Sequence, residues 1–581
     1  MVSEDRFSTK PTSNFPPQVP TAPATASPTT TSTIGSRRKR SAVKPTMSTL
    51  YIILFLFILI LLLYVFLLRQ KALDASLPPL PQPNPAQTSL LLSKLHGEPD
   101  DWLLFQDPNI REKALTQMVQ KNGKTFLMHC QGDVQNALGT SPVVATADPK
   151  LVKQIFLKKA HSTRRPRRML LAQHLPGLDG ILFQDGPKWE RHSRTLKPVF
   201  HAKNFTQFTT NMVQETDKHV ALWGTIHSSS PLSKHHLGQG QISALTSLRQ
   251  LSTSIALHVG YGIDPNCAEG EELREALDGY DEKKRFRAAG KNICLLIRAL
   301  FLVWMDARRI RLVVSKIVAR IKGEEKTKAT SNGDTAATTT AATTPPPPPL
   351  SWIRQMVNAN FSIHELANEV GHLHHAHKAI AYMTSFALYE IGKNPMWQDK
   401  IRDEFSKVLK HNCPPEKSDL SALKMCTSVW KETLRMHPIS LGVIREVGED
   451  LETTVGKGEQ LETVVLPRGT MVSILLYALH MDPDQWNAPE VFNPNRWIDS
   501  DNTSAQSTMS DKGTRESFVP FLDGKRQCEG RFLAELEFVV FLWSLLRRYD
   551  VSVPDDYTFS IGPDFFPDAT APIPLILSKR K

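Results

Sequence analysis

The chain has 581 residues, of which 41% are hydrophobic and 22% charged, a composition that supports a sizeable core and excludes a wholly disordered, collagen-like or purely membrane-embedded protein. Lysine and arginine exceed aspartate and glutamate by +12, but residues 1–46 hold seven basic against two acidic residues, which leaves +7 for the rest. With no zinc-finger or basic-zipper pattern, that excess suits an anionic membrane surface or an acidic partner and argues against nucleic acid.

Residues 1–46 are rich in Ser, Thr and Pro and include the basic run Arg37-Arg38-Lys39-Arg40. They have too few apolar side chains to offset the entropy of ordering and read as a disordered tail. From Leu50 to Leu68 all 19 residues are apolar or aromatic, a helix of about 28 Å that matches the hydrocarbon thickness of a bilayer. The run exceeds the apolar core of a cleavable signal peptide and no small-x-small cleavage site follows, so it reads as a transmembrane signal anchor. Residues 77–85 hold five of the prolines and form a stiff, extended hinge. The body, residues 92–581, is interrupted at 323–350 by a Thr/Ala/Pro-rich segment with five consecutive prolines, read as a disordered insertion. Periodicity predicts helices over 186–224, 242–260 and 283–322 before it, and over 361–392, 396–411 and 419–436 after it. Strands are expected at 443–447, 462–466 and 471–475, with a strongly apolar helix over 531–548. Six cysteines without a C-x-x-C pair form no disulfide framework and point to a reducing compartment.

The segment Phe521-Leu522-Asp523-Gly524-Lys525-Arg526-Gln527-Cys528-Glu529-Gly530 leads directly into that last helix. Its glycines permit a tight turn close to a flat cofactor, and a cysteine just before a helix N-terminus has its thiolate stabilised by amide dipoles. The segment resembles the F-x-x-G-x-R-x-C-x-G signature of the cytochromes P-450, the haem-thiolate enzymes, at Phe521, Gly524, Arg526, Cys528 and Gly530. The resemblance implies a fold that is mainly α with small β-sheets, behind an N-terminal transmembrane helix. It also implies haem (heme) iron with Cys528 as its metal ligand and Arg526 at a propionate. Glu432-Thr433-Leu434-Arg435 resembles the family's E-x-x-R helix, and Phe492-Asn493-Pro494-Asn495-Arg496-Trp497 its F-x-P-x-R-W meander. Glu432, Arg435 and Arg496 are then structural, and Arg445 stands where relatives supply a propionate ligand. Gly186-Pro187-Lys188-Trp189 resembles the start of the C-helix, in which Trp189 and an arginine four residues later bind a propionate. That fourth position is Ser193, which leaves Arg191 or His192 as substitutes, or another mode of binding.

The largest departure is on the helix over the distal haem face, where relatives carry an acid and an alcohol that supply protons. Aligning Ala387-Leu388-Tyr389-Glu390 with the family's exit from this helix puts Lys378 in place of the acid and Ala379 in place of the alcohol. Within the cluster His372, His374, His375 and His377, the residues His375, His377 and Lys378 are the candidate proton relay. A zinc site on His372 and His375 lacks a third ligand.

The resemblance implies a monooxygenase acting on a lipophilic small molecule, with electrons from a separate NADPH-dependent reductase, since no dinucleotide fingerprint is present. The missing alcohol keeps open an oxygen-independent isomerase or dehydratase of a peroxide substrate, and a non-catalytic haem-binding protein is the third reading. The expected location is a single-pass protein of the endoplasmic reticulum membrane with its body in the cytosol beside the reductase. The five basic residues between Arg37 and Lys44 argue for the opposite orientation.

Overall fold

The computed structural model describes residue 95 and residues 111–128, 143–158, 163–164, 180–201, 204–226, 241–279, 293–330, 351–410, 413–457, 460–498, 516–557 and 573–580. All belong to the compact unit Leu73–Lys581, and the other unit, Met1–Ala72, lies outside them together with the expected tail and anchor. Among the described residues no helix is long and apolar enough to cross a membrane. The hinge at 77–85 also falls outside.

The chain begins with α1 (Arg111–Asn122), β1 (Thr125–Met128), β2 (Val143–Thr146) and α2 (Pro149–Lys153), followed by a π-helical turn, Gln154–Lys158, and β3 (Thr163–Arg164). Then come α3 (Gly186–Leu196), α4 (Thr206–Ile226), β4 (Gln241–Ser243), α5 (Ala244–Ile255), α6 (Ala268–Gly279), α7 (Ile293–Thr330) and α8 (Trp352–Asn358). The C-terminal part holds α9 (Ile363–Lys393), α10 (Pro395–Val408), α11 (Lys424–Met436), β5 (Val443–Val447), β6 (Leu451–Lys457), β7 (Gln460–Leu466) and β8 (Met471–Ile474). It closes with α12 (Leu476–His480), α13 (Asn495–Ile498), α14 (Arg531–Leu546), β9 (Tyr549–Ser552) and β10 (Pro574–Lys579).

A five-stranded sheet runs β1-β2-β8-β5-β3, a three-stranded sheet runs β4-β10-β9, and β6 pairs with β7 as a hairpin. One apolar core gathers α4, α5, α7, α8, α9, α11 and α14 around residues such as Leu388, Val429 and Phe538. A second lies against the five-stranded sheet, around Phe126, Leu151 and Ile474. Between them sit the elements that carry the site.

The long helix α9 starts at a capping box: Ser362 Oγ accepts from the Glu365 amide (3.2 Å) and the Glu365 carboxylate accepts from the Ser362 amide (2.9 Å). It stops at Asn394, where Pro395 cannot continue it and opens α10 instead.

Four boundaries differ from expectation, one of them the helix expected over 419–436, of which Asp419–Ser421 is a separate 3-10 turn and α11 begins only at Lys424. The helix predicted over 186–224 is two, because the chain turns at Pro198, whose carbonyl accepts from the Asn204 side chain at 2.6 Å. The span 242–260 opens as a short strand before turning helical. Helix α7 continues to Thr330, so the first eight residues of the expected insertion are helical; they read GEEKTKAT, mostly good helix formers, and residues 331–350 lie outside the described set.

Candidate active site

The loop ahead of α14 is shaped by two left-handed residues, Leu522 (φ 59°) and Gly524 (φ 69°). A β-carbon at 524 would overlap the carbonyl oxygen of Phe156 in the π-helical turn, so only glycine lets the loop lie there. The Asp523 carboxylate accepts from the Gly524 amide (2.7 Å), and the Cys528 amide donates to the Phe521 carbonyl (2.9 Å), which closes the loop on itself. A β-carbon at Gly530 would stand 3.9 Å from the Cys528 sulfur and 3.8 Å from the Phe200 ring, in ordinary contact with both.

Cys528 is exposed by area. Burial nevertheless pushes its thiol pKa up, while hydrogen bonds from the amides of Gly530 and Arg531 pull it down. The residue is thus exposed while neighbouring protein crowds its thiol. The donors aimed at it are the free N–H groups at the start of α14, which favour an anionic sulfur.

Two cations flank this loop. Arg526 stacks on Trp189 (3.7 Å to the ring centroid), donates to the Gln184 carbonyl (2.9 Å) and pairs with Asp185, so the start of α3 and the thiolate loop are joined. Burial lowers its pKa to about 10. Arg445, on β5, is 8% exposed, and burial likewise lowers it to about 10. It donates to the Ile444 carbonyl (2.9 Å) and lies over the Phe156 ring (5.7 Å), with no carboxylate at ion-pair distance among the described residues. Phe156 thus touches both Arg445 and Gly524, a link that no sequence motif announced. A buried guanidinium without an acidic partner among the described residues, and a thiol that accepts from backbone amides with a glycine beside it, fit a flat anionic cofactor with a thiolate-ligated metal at its centre.

The family profile described as Cytochrome P450 matches residues 101–563. The chain belongs to the cytochrome P450 family. Cytochrome P450 4F5 of Rattus norvegicus is 27% identical over 438 residues, covering 71% of this chain and 76% of that protein. Cytochrome P450 4F3 of the same species is 28% identical over 427 residues, with the same shares. Cytochrome P450 72A397 of Kalopanax septemlobus is 23% identical over 461 residues, covering 78% and 81%. Membership makes the protein a haem-thiolate oxidoreductase of the monooxygenase class, with haem iron bound through a cysteine thiolate.

In this P450 the carboxylate of Glu432, fully buried on α11, gathers five donors. Arg435 donates through Nε (3.0 Å) and Nη2 (2.8 Å), Arg496 through Nε (3.0 Å), Trp497 through Nε1 (2.9 Å) and Asn493 through its amide (3.0 Å). Arg435 is also fully buried and donates onward to the His480 carbonyl (3.1 Å). Glu432, Arg435 and Arg496 therefore meet at one point, and Trp497 and the Asn493 amide complete it.

On α9 the expected relay residues part company. His375 and Ala376 are exposed, and Lys378 and Ala379 are half-buried. His377 is buried and faces elsewhere: at about 100° per residue it sits about 160° around the helix from Ala379. Its ring stacks on Trp352 (5.2 Å), its carbonyl accepts from Ser252 Oγ (2.8 Å), and its Nδ1 lies 3.7 Å from the Glu537 carboxyl. Burial lowers the His377 pKa to about 4 and raises that of Glu537 to about 8. His377 is thus a neutral core residue with a neutral carboxylic acid beside it, and it leaves the relay group. The two substitutes considered for the C-helix arginine are also engaged elsewhere. Arg191 pairs with Glu365 (2.8 Å) and His192 with Glu369 (2.5 Å), both on α9.

Proposed function

We propose that Cys528 is the axial ligand and that Arg445, Arg526 and Trp189 hold the haem propionates. The observation that carries this is the exposed Cys528, with the Gly530 and Arg531 amides hydrogen-bonded to its thiol, together with a buried Arg445 that has no carboxylate at ion-pair distance among the described residues. The bound haem supplies oxygen activation. The chain's own residues hold its charge, exclude water on the α14 side and orient the substrate. Phe521, Gly524 and Gly530 shape the loop so that sulfur and not side chain meets the cofactor. The buried network of Glu432, Arg435 and Arg496 acts as a brace under that loop.

The substrate is a lipophilic small molecule, and electrons come from a separate NADPH-dependent reductase. The apolar run at 50–68 anchors the protein in the endoplasmic reticulum membrane, with the body in the cytosol. Protons at the distal face are handled by the His375 imidazole and the Lys378 ammonium, because Ala379 has neither a donor nor an acceptor on its side chain.

The absence of the acid and alcohol supports a second reading, rearrangement of a peroxide substrate. One experiment separates the two: purified protein is supplied with reductase, NADPH and labelled dioxygen, or with a lipid hydroperoxide alone. NADPH-dependent product carrying label supports monooxygenation. Turnover of hydroperoxide without reductase and without label overturns it.

A further inference from the structure

We propose that Glu369 is a positioning residue that fixes the pocket wall formed by residues 180–184, holding it through the Ile181 amide and through His192. Glu369 is fully buried in the second turn of α9. One of its oxygens, Oε1, accepts from the Ile181 amide (2.9 Å) and is hydrogen-bonded to His192 Nδ1 (2.5 Å). His192, itself fully buried, packs edge-on against Phe361 (4.6 Å), so the ring cannot swing to another acceptor without leaving the core.

The segment that Glu369 grips reaches from the distal helix to the thiolate loop. At its first residue a β-carbon at Gly180 would come within 2.8 Å of His372 Cβ, and the Phe183 ring meets the His372 ring edge-on (6.2 Å). At its far end the Gln184 carbonyl and Asp185 receive Arg526. Residues 180–184 therefore join α9 to the thiolate loop, and their position would set the space beside a haem held there. Carboxylate oxygens have lone pairs enough for both donors, whereas an apolar side chain at 369 leaves a buried amide and a buried imidazole without an acceptor. Neither Glu369 nor the 180–184 segment belongs to the motifs that carry the family resemblance.

The proposal rests on the haem-site reading above, and its test keeps the two apart. The ferric, substrate-free holoprotein is titrated with imidazole and with 4-phenylimidazole, followed by the Soret band. Both probes ligate through the same ring nitrogen, but only the second reaches the wall, so the ratio of their dissociation constants reports the wall and cancels general effects on the haem. Loss of two buried hydrogen bonds in Glu369→Leu should change that ratio about tenfold or more. Glu369→Gln, which keeps an oxygen acceptor, should stay within about threefold. Glu272→Gln, altered at the exposed pair with Lys316 (3.5 Å), should leave the ratio unchanged. Should Glu369→Leu fail to take up haem, His192→Phe removes one of the two bonds and should give a smaller shift in the ratio. A haem-replete Glu369→Leu or His192→Phe protein with the wild-type ratio overturns the proposal and leaves Glu369 a purely structural residue. Wild-type protein that shifts its Soret band with neither probe overturns the haem-site reading itself.

Discussion

Replacing Glu537 by glutamine should change how stability depends on pH, and the size of the change follows from its surroundings. Burial raises its pKa from 4.5 to about 8, although the Ser252 hydrogen bond opposes the rise, and burial lowers His377 from 6.5 to about 4. In the unfolded chain Glu537 ionises near 4.5. Between there and pH 8 the folded state holds one more proton, so its stability falls by about 1.4 kcal/mol per pH unit as pH rises. His377 works the other way: its folded form resists protonation, so its contribution grows as pH rises from about 4 to 6.5. The two slopes cancel between pH 4.5 and 6.5. From 6.5 to 8 only the carboxyl remains, and the pair predicts a loss of about 2 kcal/mol. Urea unfolding of the holoprotein at pH 6.5 and pH 8, read by far-UV circular dichroism, gives this as the wild-type change minus the Glu537→Gln change, in which other groups cancel. The variant should be the more stable protein at pH 8. An equal fall with pH in both proteins would show that Glu537 is not a buried neutral acid.

Gly524→Ala should lose haem uptake and at least about 2 kcal/mol of stability, since φ is 69° and the β-carbon overlaps the Phe156 carbonyl; haem per protein measures it. Glu432→Ala should cost about 3–5 kcal/mol by leaving Arg435 buried without its acid, as seen in chemical unfolding midpoints. Lys378→Ala should divert NADPH electrons to hydrogen peroxide if this residue serves the distal face, whereas Ala379→Thr should alter coupling only modestly. Deletion of residues 1–46 should leave membrane attachment and haem content intact, because the apolar run at 50–68 is retained; flotation with vesicles tests this.

The parts of this site legible in the sequence are those in which local backbone and chemistry coincide. Gly524 and Cys528 lie within one short loop ahead of an apolar helix, and Glu432 and Arg435 share a helix face at three-residue spacing, so neighbours in sequence are neighbours in space. What stayed hidden is long-range. Glu369 reaches Ile181 and His192 across more than 170 residues, Glu537 reaches His377, and Phe156 lies between Arg445 and Gly524. His377 shows the same limit from the other side: its place in a histidine cluster invited a functional role, and only the packing of Trp352 and Ser252 against it shows which way it faces. In the fold, helical periodicity located most of the long helices, but the Pro198 turn and the extension of α7 to Thr330 depended on local chemistry that periodicity does not resolve. Strand β1 is buried at every position and β3 has two residues, so neither shows an alternating pattern, and both are fixed by their partners.

The account turns on Cys528, and the ferrous carbon-monoxide difference spectrum of the full-length protein tests it most directly. Wild-type protein should show the red-shifted Soret band of thiolate ligation, and Cys528→Ser should retain the fold by circular dichroism while losing that band. A Cys528→Ser protein that keeps the red-shifted band, or a haem-replete wild type that never shows it, would contradict the assignment of the axial ligand and the function built on it.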